Sequence, residues 1–163
     1  NTIIARYILE HSGREATEEA IKTIYTAKEQ IFREIIADLS QKDILPGIPE
    51  FLTFLQSKGV KMAVASSSHA SGELAARFGL DAYFHVLIDG KTPLPRKPKP
   101  DTFLLAAKML GVEPKDCIVF EDSLAGIDAA VNAEMPVVAI GGIQSADAIL
   151  HLKDFAQFSK YFY

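Results

Sequence analysis

The 163-residue sequence predicts an α/β protein whose core is a doubly wound parallel sheet with helices on both faces. Two observations favour this class. From residue 45 onward, short apolar runs alternate with segments of helical periodicity, and each run ends at a polar or glycine-containing turn. Over residues 1–44 the periodicity is helical only. We therefore expect a small helical unit followed by repeated β/α units.

The helical unit has apolar residues at helical spacing from Ile3 to Ile8, and Thr17 precedes two glutamates, which is typical of a helix start. The chain opens at Asn1 rather than Met, so we expect it to begin inside a longer gene product. The segment 45–49 contains two prolines and a glycine, which cannot continue a helix. A domain boundary near residue 44 follows.

The second part of the chain, residues 45–163, contains four predicted strands and four predicted helices. Each strand is a short apolar run, and each helix has a three- or four-residue apolar repeat. The strands are expected at Lys61–Ala65, Val86–Ile88, Cys117–Phe120 and Val137–Ile140, the last of them before two glycines. The helices are expected at Glu50–Ser57, Gly72–Phe78, Asp101–Leu110 and from Leu124 onward.

Composition excludes several classes of function. A net charge of −4 argues against nucleic acid as a partner. No apolar run approaches the roughly 18 to 20 residues of a membrane span, so no membrane partner is expected. The single cysteine, Cys117, lies in an apolar run, so we interpret it as a buried small hydrophobe rather than a catalytic thiol. One cysteine cannot form an intrachain disulfide, which fits a cytoplasmic protein.

Two adjacent acids, Glu121 and Asp122, follow a predicted buried strand and precede a predicted helix. Open α/β sheets bind their ligands at the carboxyl ends of strands, so the pair is a candidate metal site. Asp122 is also a residue type that caps helices. The alternative is therefore that Asp122 caps the helix and Glu121 is solvated.

Two further polar segments follow other strands. Ser66, Ser67 and Ser68 stand between a predicted strand and a helix, where hydroxyls and unpaired amides can hold a phosphate. Lys97 lies in a proline-stiffened loop and could neutralise an anion. Each segment alone is more often a helix cap or a solvated charge. Together with the acid pair they could converge on one sheet edge, and a phosphate held beside Mg²⁺ is what phosphoryl transfer requires.

These segments carry a family resemblance. The sequences Ala-Val-Ala-Ser-Ser-Ser at 63–68, Lys-Pro-Lys-Pro-Asp at 97–101 and Phe-Glu-Asp-Ser at 120–123 resemble the second, third and fourth motifs of haloacid dehalogenase-like hydrolases. The closest subgroup is the beta-phosphoglucomutase-like one, which includes many sugar phosphatases. The resemblance implies a Rossmann-like core at 45–163 and part of a mobile helical cap at 1–44.

The resemblance also implies roles for single residues. Ser66 and Lys97 would bind the transferring phosphoryl group, and Ser67 and Ser68 would also bind the substrate. Glu121 and Asp122 would serve a Mg²⁺ site, with Asp122 as the direct ligand.

One lysine of the helical unit enters by the same resemblance. Lys28 matches a cap lysine that contacts the second phosphate of the mutase substrate. The alternative is a solvated lysine on a polar helix face.

The first motif of the family, an Asp-x-Asp-Gly segment that supplies the nucleophile, does not occur in this sequence. In the family that segment follows the central strand of the sheet. The chain is therefore expected to lack its first, central strand and to work with an N-terminal segment of the same protein. Without the aspartate, the residues present could bind Mg²⁺ and phosphate but not turn over by the family's route.

The resemblance predicts a Mg²⁺-dependent phosphatase of a small phosphorylated metabolite, expected to be a sugar phosphate. One alternative is phosphoryl transfer of the beta-phosphoglucomutase type. His69 and Ala70 favour the phosphatase, because the mutase has a Lys-Asn pair there. A second alternative is a non-catalytic phosphate-binding module.

Overall fold

A computed structural model of the chain describes residues 2–158. The chain divides into two compact units, Asn1–Asp43 and Ile44–Tyr163. The first unit consists of helix α1 (Thr2–His11), helix α2 (Glu18–Asp38) and a 3-10 turn. Thr17 caps α2, because its side chain accepts a hydrogen bond from the amide of Ala20 at 3.2 Å.

The first unit has a small apolar core of its own. Ala5 and Leu9 of α1 pack with Ile21 of α2, and all three are buried. Both predicted helical segments of this unit are helices, as their apolar spacing indicates.

The second unit is an α/β structure in which every strand pair is parallel. The α/β class predicted from the sequence is therefore confirmed. Its helices are α3 (Ile48–Ser57), α4 (Ser71–Arg77), α5 (Asp101–Leu110) and α6 (Leu124–Asn132). Its strands are β1 (Ala63–Ala65), β2 (Val86–Ile88), β3 (Val119–Glu121), β4 (Val137–Ile140) and β5 (Leu150–Leu152).

The strands form two sheets rather than one. Strands β1 and β2 pair with each other, and β3, β4 and β5 form a separate sheet with β4 in the middle. All four residues of β4 are buried, whereas the three residues of β1 are only half-buried. Among the described residues, β2 is the one strand that pairs with β1, and the opposite edge of β1 has no strand partner there.

Three predicted strand positions need correction. Strand β1 begins at Ala63 rather than Lys61. Val137–Ile140 is not the last strand, because β5 follows; its three residues include the exposed His151, too short and polar a run to stand out in the sequence. Strand β3 begins at Val119 rather than Cys117, since a 3-10 turn ends at Asp116 and Ile118 is 56% exposed. The strand ends at Glu121, one residue beyond the predicted end, so Glu121 lies within it.

One face of helix α6 is fully buried in the core. Ile127, Ala129 and Ala130 are all 0% exposed and pack with Val119 of β3 and Val137 of β4. The small alanine side chains bring the helix close to the sheet. This packing fixes α6 directly beside the carboxyl end of β3.

No helix within residues 2–158 is both long enough and apolar enough to cross a membrane.

Helix α6 ends in a Schellman motif built on an unusual residue. The amide of Met135 bonds to the carbonyl of Ala130 and the amide of Glu134 to that of Val131, both at 2.9 Å. Glu134 has φ of 58°, the left-handed region that glycine occupies most easily, and it is the one non-glycine residue with positive φ in the described chain.

We expect Glu134→Gly to raise the free energy of unfolding by about 1 kcal/mol, because glycine removes the Cβ clash of the left-handed conformation. Urea unfolding of the full-length protein measures the change. The matched control is Glu113→Gly, where φ is −75° and the same replacement should lower stability by about 0.5 to 1 kcal/mol. A shift of the same sign in both variants would contradict the assignment of strain to Glu134.

Candidate active site

A cleft of about 350 Å³ lies at the carboxyl ends of β1 and β3. Six of the seven side chains predicted for the site line this cleft: Ser66, Ser67, Ser68, Lys97, Glu121 and Asp122. Ala65, Phe120 and Ser123 complete the lining. The loops after separate strands do converge, as parallel strand order dictates. A larger groove along α3 is lined by Glu50, Thr53 and Phe54, among others, and includes none of the predicted residues.

A buried ion pair forms the floor of the cleft. The Lys97 ammonium contacts Oε1 of Glu121, and the side chains are only 13% and 8% exposed. Lys97 Nζ also donates to the carbonyl of Ala65 at 3.4 Å and lies 4.4 Å from the centroid of the Phe103 ring. The carboxylate, the carbonyl and the ring face together compensate the lost hydration of the ammonium.

Glu121 is held on its other side by the start of α6. Its Oε2 accepts hydrogen bonds from the amide of Asp122 at 2.8 Å and from the hydroxyl of Ser123 at 3.3 Å. A Cβ added to Gly126 would lie 2.0 Å from both Cδ and Oε1 of Glu121. The first turn of α6 therefore needs a glycine at this position to seat the carboxylate.

The alternative reading of the acid pair is wrong on both counts. Ser123, not Asp122, caps α6, since its Oγ accepts from the amide of Gly126 at 3.0 Å. Glu121 is buried rather than solvated. Serine and aspartate are both common caps, so the sequence alone did not distinguish the adjacent positions.

Asp122 is the exposed carboxylate of the cleft. Partial burial, then the negative charge of Glu121 and a hydrogen bond with it, raise the pKa of Asp122 above its usual range. A bound cation would relieve this cost.

The donors fit Mg²⁺, which commonly takes one or two protein carboxylates and completes its shell with water and substrate phosphate. Asp122 would be the protein ligand, with Glu121 adjacent. Among residues 2–158 no group of three or more acidic, histidine or cysteine side chains could enclose a metal ion, so this set would be an open one.

The serine segment is a shaped loop between β1 and α4. The amide of Ser66 bonds to the carbonyl of Ile88 at 2.9 Å, which extends the β1–β2 pairing. The hydroxyl of Ser66 accepts from the amide of Ser68 at 3.1 Å, and that of Ser68 accepts from the amide of Ala70 at 3.2 Å. Ser67 is exposed. Each hydroxyl that accepts from an amide keeps its proton available for a ligand oxygen.

The lysine segment is a turn with a cis peptide between Lys97 and Pro98. The amide of Lys99 bonds to the carbonyl of Arg96 at 3.0 Å, and the side-chain amide of Asn132 donates to the carbonyl of Pro98 at 2.9 Å.

Lys28 belongs to the first unit, on α2. It is exposed, it pairs with Glu29 at 2.8 Å, and its ammonium lies 5.3 Å from the centroid of Phe32.

Three contributors to the site were not predicted: the ring of Phe103, the side chain of Asn132 and the missing Cβ of Gly126. A glycine inside a helix is a signal of close approach, so Gly126 could have been identified from the sequence. Phe103 and Asn132 have helical spacing like any other residue, so no sequence signal distinguishes them.

Comparison with known proteins identifies the family. The sequence pattern described as haloacid dehalogenase-like hydrolase matches residues 3–134. The chain belongs to the haloacid dehalogenase-like hydrolases. Its relatives place it in the beta-phosphoglucomutase-like subgroup, so the resemblance predicted from the three motifs is confirmed.

Two relatives and one solved structure illustrate the match. The chain is 39% identical to a beta-phosphoglucomutase of Bacillus subtilis over 70% of its own length and 50% of the relative's. It is 33% identical to a phosphorylated carbohydrates phosphatase of Thermotoga maritima, over 74% and 54%. A crystal structure of beta-phosphoglucomutase from Clostridium difficile superposes with a TM-score of 0.83 at 30% identity, covering 96% of this chain and 71% of that one. The chain thus spans about half the length of these curated relatives.

The seat of Glu121 on α6 can be tested with one methyl group. Gly126→Ala should lower the free energy of unfolding by about 1 to 3 kcal/mol, because the new Cβ overlaps the buried carboxylate. Urea unfolding measures it.

The matched control for this test is Gly72→Ala on α4, where the nearest atom to the new Cβ would be the tip of Leu87 at 3.3 Å. There the change should be neutral or slightly stabilising, since alanine favours helix by up to about 1 kcal/mol. Equal stability of the two variants would show that Glu121 is not seated on Gly126.

Proposed function

We propose that the chain is the phosphate- and metal-binding part of a Mg²⁺-dependent phosphatase that acts on a small phosphorylated metabolite. The observation that supports this most directly is the single cleft shared by the Ser66 hydroxyl, the Lys97 ammonium and the Asp122 carboxylate. A phosphoryl-transfer site needs hydrogen-bond donors and positive charge for the phosphoryl group, and a carboxylate ligand for a metal ion beside it.

In this proposal each side chain has one task. Ser66 donates a hydrogen bond from its hydroxyl to a phosphoryl oxygen, and Ser67 and Ser68 also contact the substrate. Lys97 neutralises the charge of the phosphoryl group from the cleft floor. Mg²⁺ held by Asp122, with Glu121 adjacent, would neutralise further charge and orient the phosphoryl group.

The nucleophile of the family's reaction is an aspartate that this sequence does not contain in the required motif. We infer that the full protein supplies it on a strand between β1 and β3. Two features support the inference: the two sheets are separate, and β1, with one strand partner among the described residues, is only half-buried. Parallel sheets with helices on both faces are normally continuous.

A sugar phosphate is the proposed substrate, because one relative is named a phosphorylated carbohydrates phosphatase. The second candidate is phosphoryl transfer of the mutase type, which the names of other relatives favour. His69 and Ala70 support the phosphatase, because the mutase has a Lys-Asn pair at these positions. The first unit is proposed to be part of the cap, with Lys28 as a substrate contact.

Product analysis separates the two candidates. The full-length protein is incubated with Mg²⁺, beta-glucose 1-phosphate and a catalytic amount of glucose 1,6-bisphosphate. We expect release of inorganic phosphate, measured colorimetrically. Formation of glucose 6-phosphate without free phosphate would instead establish the mutase, and neither product would leave the sugar assignment without support.

The metal assignment predicts the effect of a single substitution. Asp122→Ala should lower Mg²⁺-dependent hydrolysis of para-nitrophenyl phosphate by at least about 100-fold, since one carboxylate is a large share of a site with few protein ligands. The control is Asp128→Ala, an exposed acid within α6, which should keep wild-type rates. Retained activity in Asp122→Ala, or equal losses in both variants, would refute the assignment.

A further inference from the structure

Asn132 is the last residue of α6, and it is exposed and outside the cleft. Its side-chain amide nevertheless donates to the carbonyl of Pro98 at 2.9 Å, across 34 positions of sequence. Pro98 immediately follows Lys97. The bond therefore ties the end of α6 to the backbone that carries the cleft lysine.

The other end of α6 also acts on Lys97. Gly126, in the first turn, lies against the carboxylate of Glu121, and that carboxylate contacts the Lys97 ammonium. Nine residues at 1.5 Å each make α6 about 13 Å long. The helix thus restrains the lysine at two separated points, its head group through Glu121 and its backbone through Asn132.

Helix α6 is suited to this task because it is fixed in the core, where Ile127, Ala129 and Ala130 are fully buried. The lysine segment is not: residues 89–100 between β2 and α5 contain no helix or strand. Such a connection depends on individual hydrogen bonds for its position. The Asn132 bond links it to α6.

We propose that Asn132 is a positioning residue for Lys97, which holds the lysine backbone so that the ammonium meets the phosphoryl group. The proposal rests on the function proposed above for Lys97. A shift of about 1 Å in a group that contacts the reacting atoms is enough to lower the rate strongly. The role is distinct from that of a ligand, because Asn132 does not line the cleft.

The first test is Asn132→Ala in the full-length protein with para-nitrophenyl phosphate and Mg²⁺. We expect kcat/KM to fall about 3- to 10-fold, the equivalent of one hydrogen bond. The melting temperature should stay the same or rise, because alanine is the better helix former. Asn132→Gln, which keeps an amide donor, should recover part of the loss, and Asp128→Ala serves as the control on the same helix. An unchanged kcat/KM in Asn132→Ala overturns the proposal.

A double-mutant cycle decides whether Asn132 acts through Lys97. In a Lys97→Met background, Asn132→Ala should have little further effect on the residual kcat/KM. The same fold-loss in both backgrounds would mean that Asn132 acts elsewhere and would overturn the proposal. If Lys97→Met alone does not fold, Lys97→Met/Glu121→Gln replaces it as the background, since it leaves no unpaired buried charge.

A readout that does not depend on activity separates this proposal from the proposed function. The ¹³Cε signal of Lys97, assigned by its loss in Lys97→Met, should be displaced from the other lysines by the Phe103 ring. In Asn132→Ala it should move towards them, and an unmoved signal overturns the proposal. Absence of hydrolysis in the wild type, with the NMR shift observed, would refute the proposed phosphatase function but not the positioning of Lys97 by Asn132.

Discussion

The buried ion pair between Lys97 and Glu121 is the contact on which the site depends. Lys97 reaches the carbonyl of Ala65 at the end of β1 and the carboxylate of Glu121 at the end of β3. These strands belong to separate sheets, so the lysine connects the two halves of the core at their carboxyl ends. Burying two charges is costly unless their remaining hydrogen bonds are satisfied. Here Glu121 also accepts hydrogen bonds from the amide of Asp122 and the hydroxyl of Ser123, so both of its carboxylate oxygens have partners.

Helix α6 provides the platform for that pair, and its composition explains how. Small residues let it approach the sheet, and Gly126 leaves room for a carboxylate where any side chain would overlap it. The Ser123 hydroxyl makes two hydrogen bonds: it accepts from the amide of Gly126, which caps the helix, and it donates to Glu121. The residues that pack the core and those that shape the cleft are therefore the same short segment. A substitution in α6 acts on both stability and site geometry.

The sequence predicted what depends on local pattern. Strands β2 and β4 and helix α5 have the predicted bounds, because apolar runs flanked by turn residues define them. The convergence of Ser66, Lys97 and Asp122 was predictable from parallel topology, which brings strand ends to one edge. The pairing of Glu121 with Lys97 was not, since 24 positions separate them and an acid beside a cleft suits a metal equally well. The division into two sheets does not follow from the separate strand patterns, because it depends on which strands become neighbours; only the family resemblance, with its missing central strand, bears on it.

The charge balance of the cleft favours a definite order of binding. Glu121 and Asp122 carry two negative charges when ionised, and Lys97 is the cationic residue among the cleft-lining side chains, which leaves a net charge of −1. Lys97 contacts Glu121 directly, and partial burial together with the negative charge of Glu121 raises the pKa of Asp122 in spite of the nearby Lys97 ammonium. A phosphate dianion that enters such a cleft alone meets repulsion from Asp122. A divalent cation bound first reverses the sign of the net charge. For the proposed function, we therefore expect Mg²⁺ to be a condition for binding of the phosphorylated substrate and not only for the chemical step.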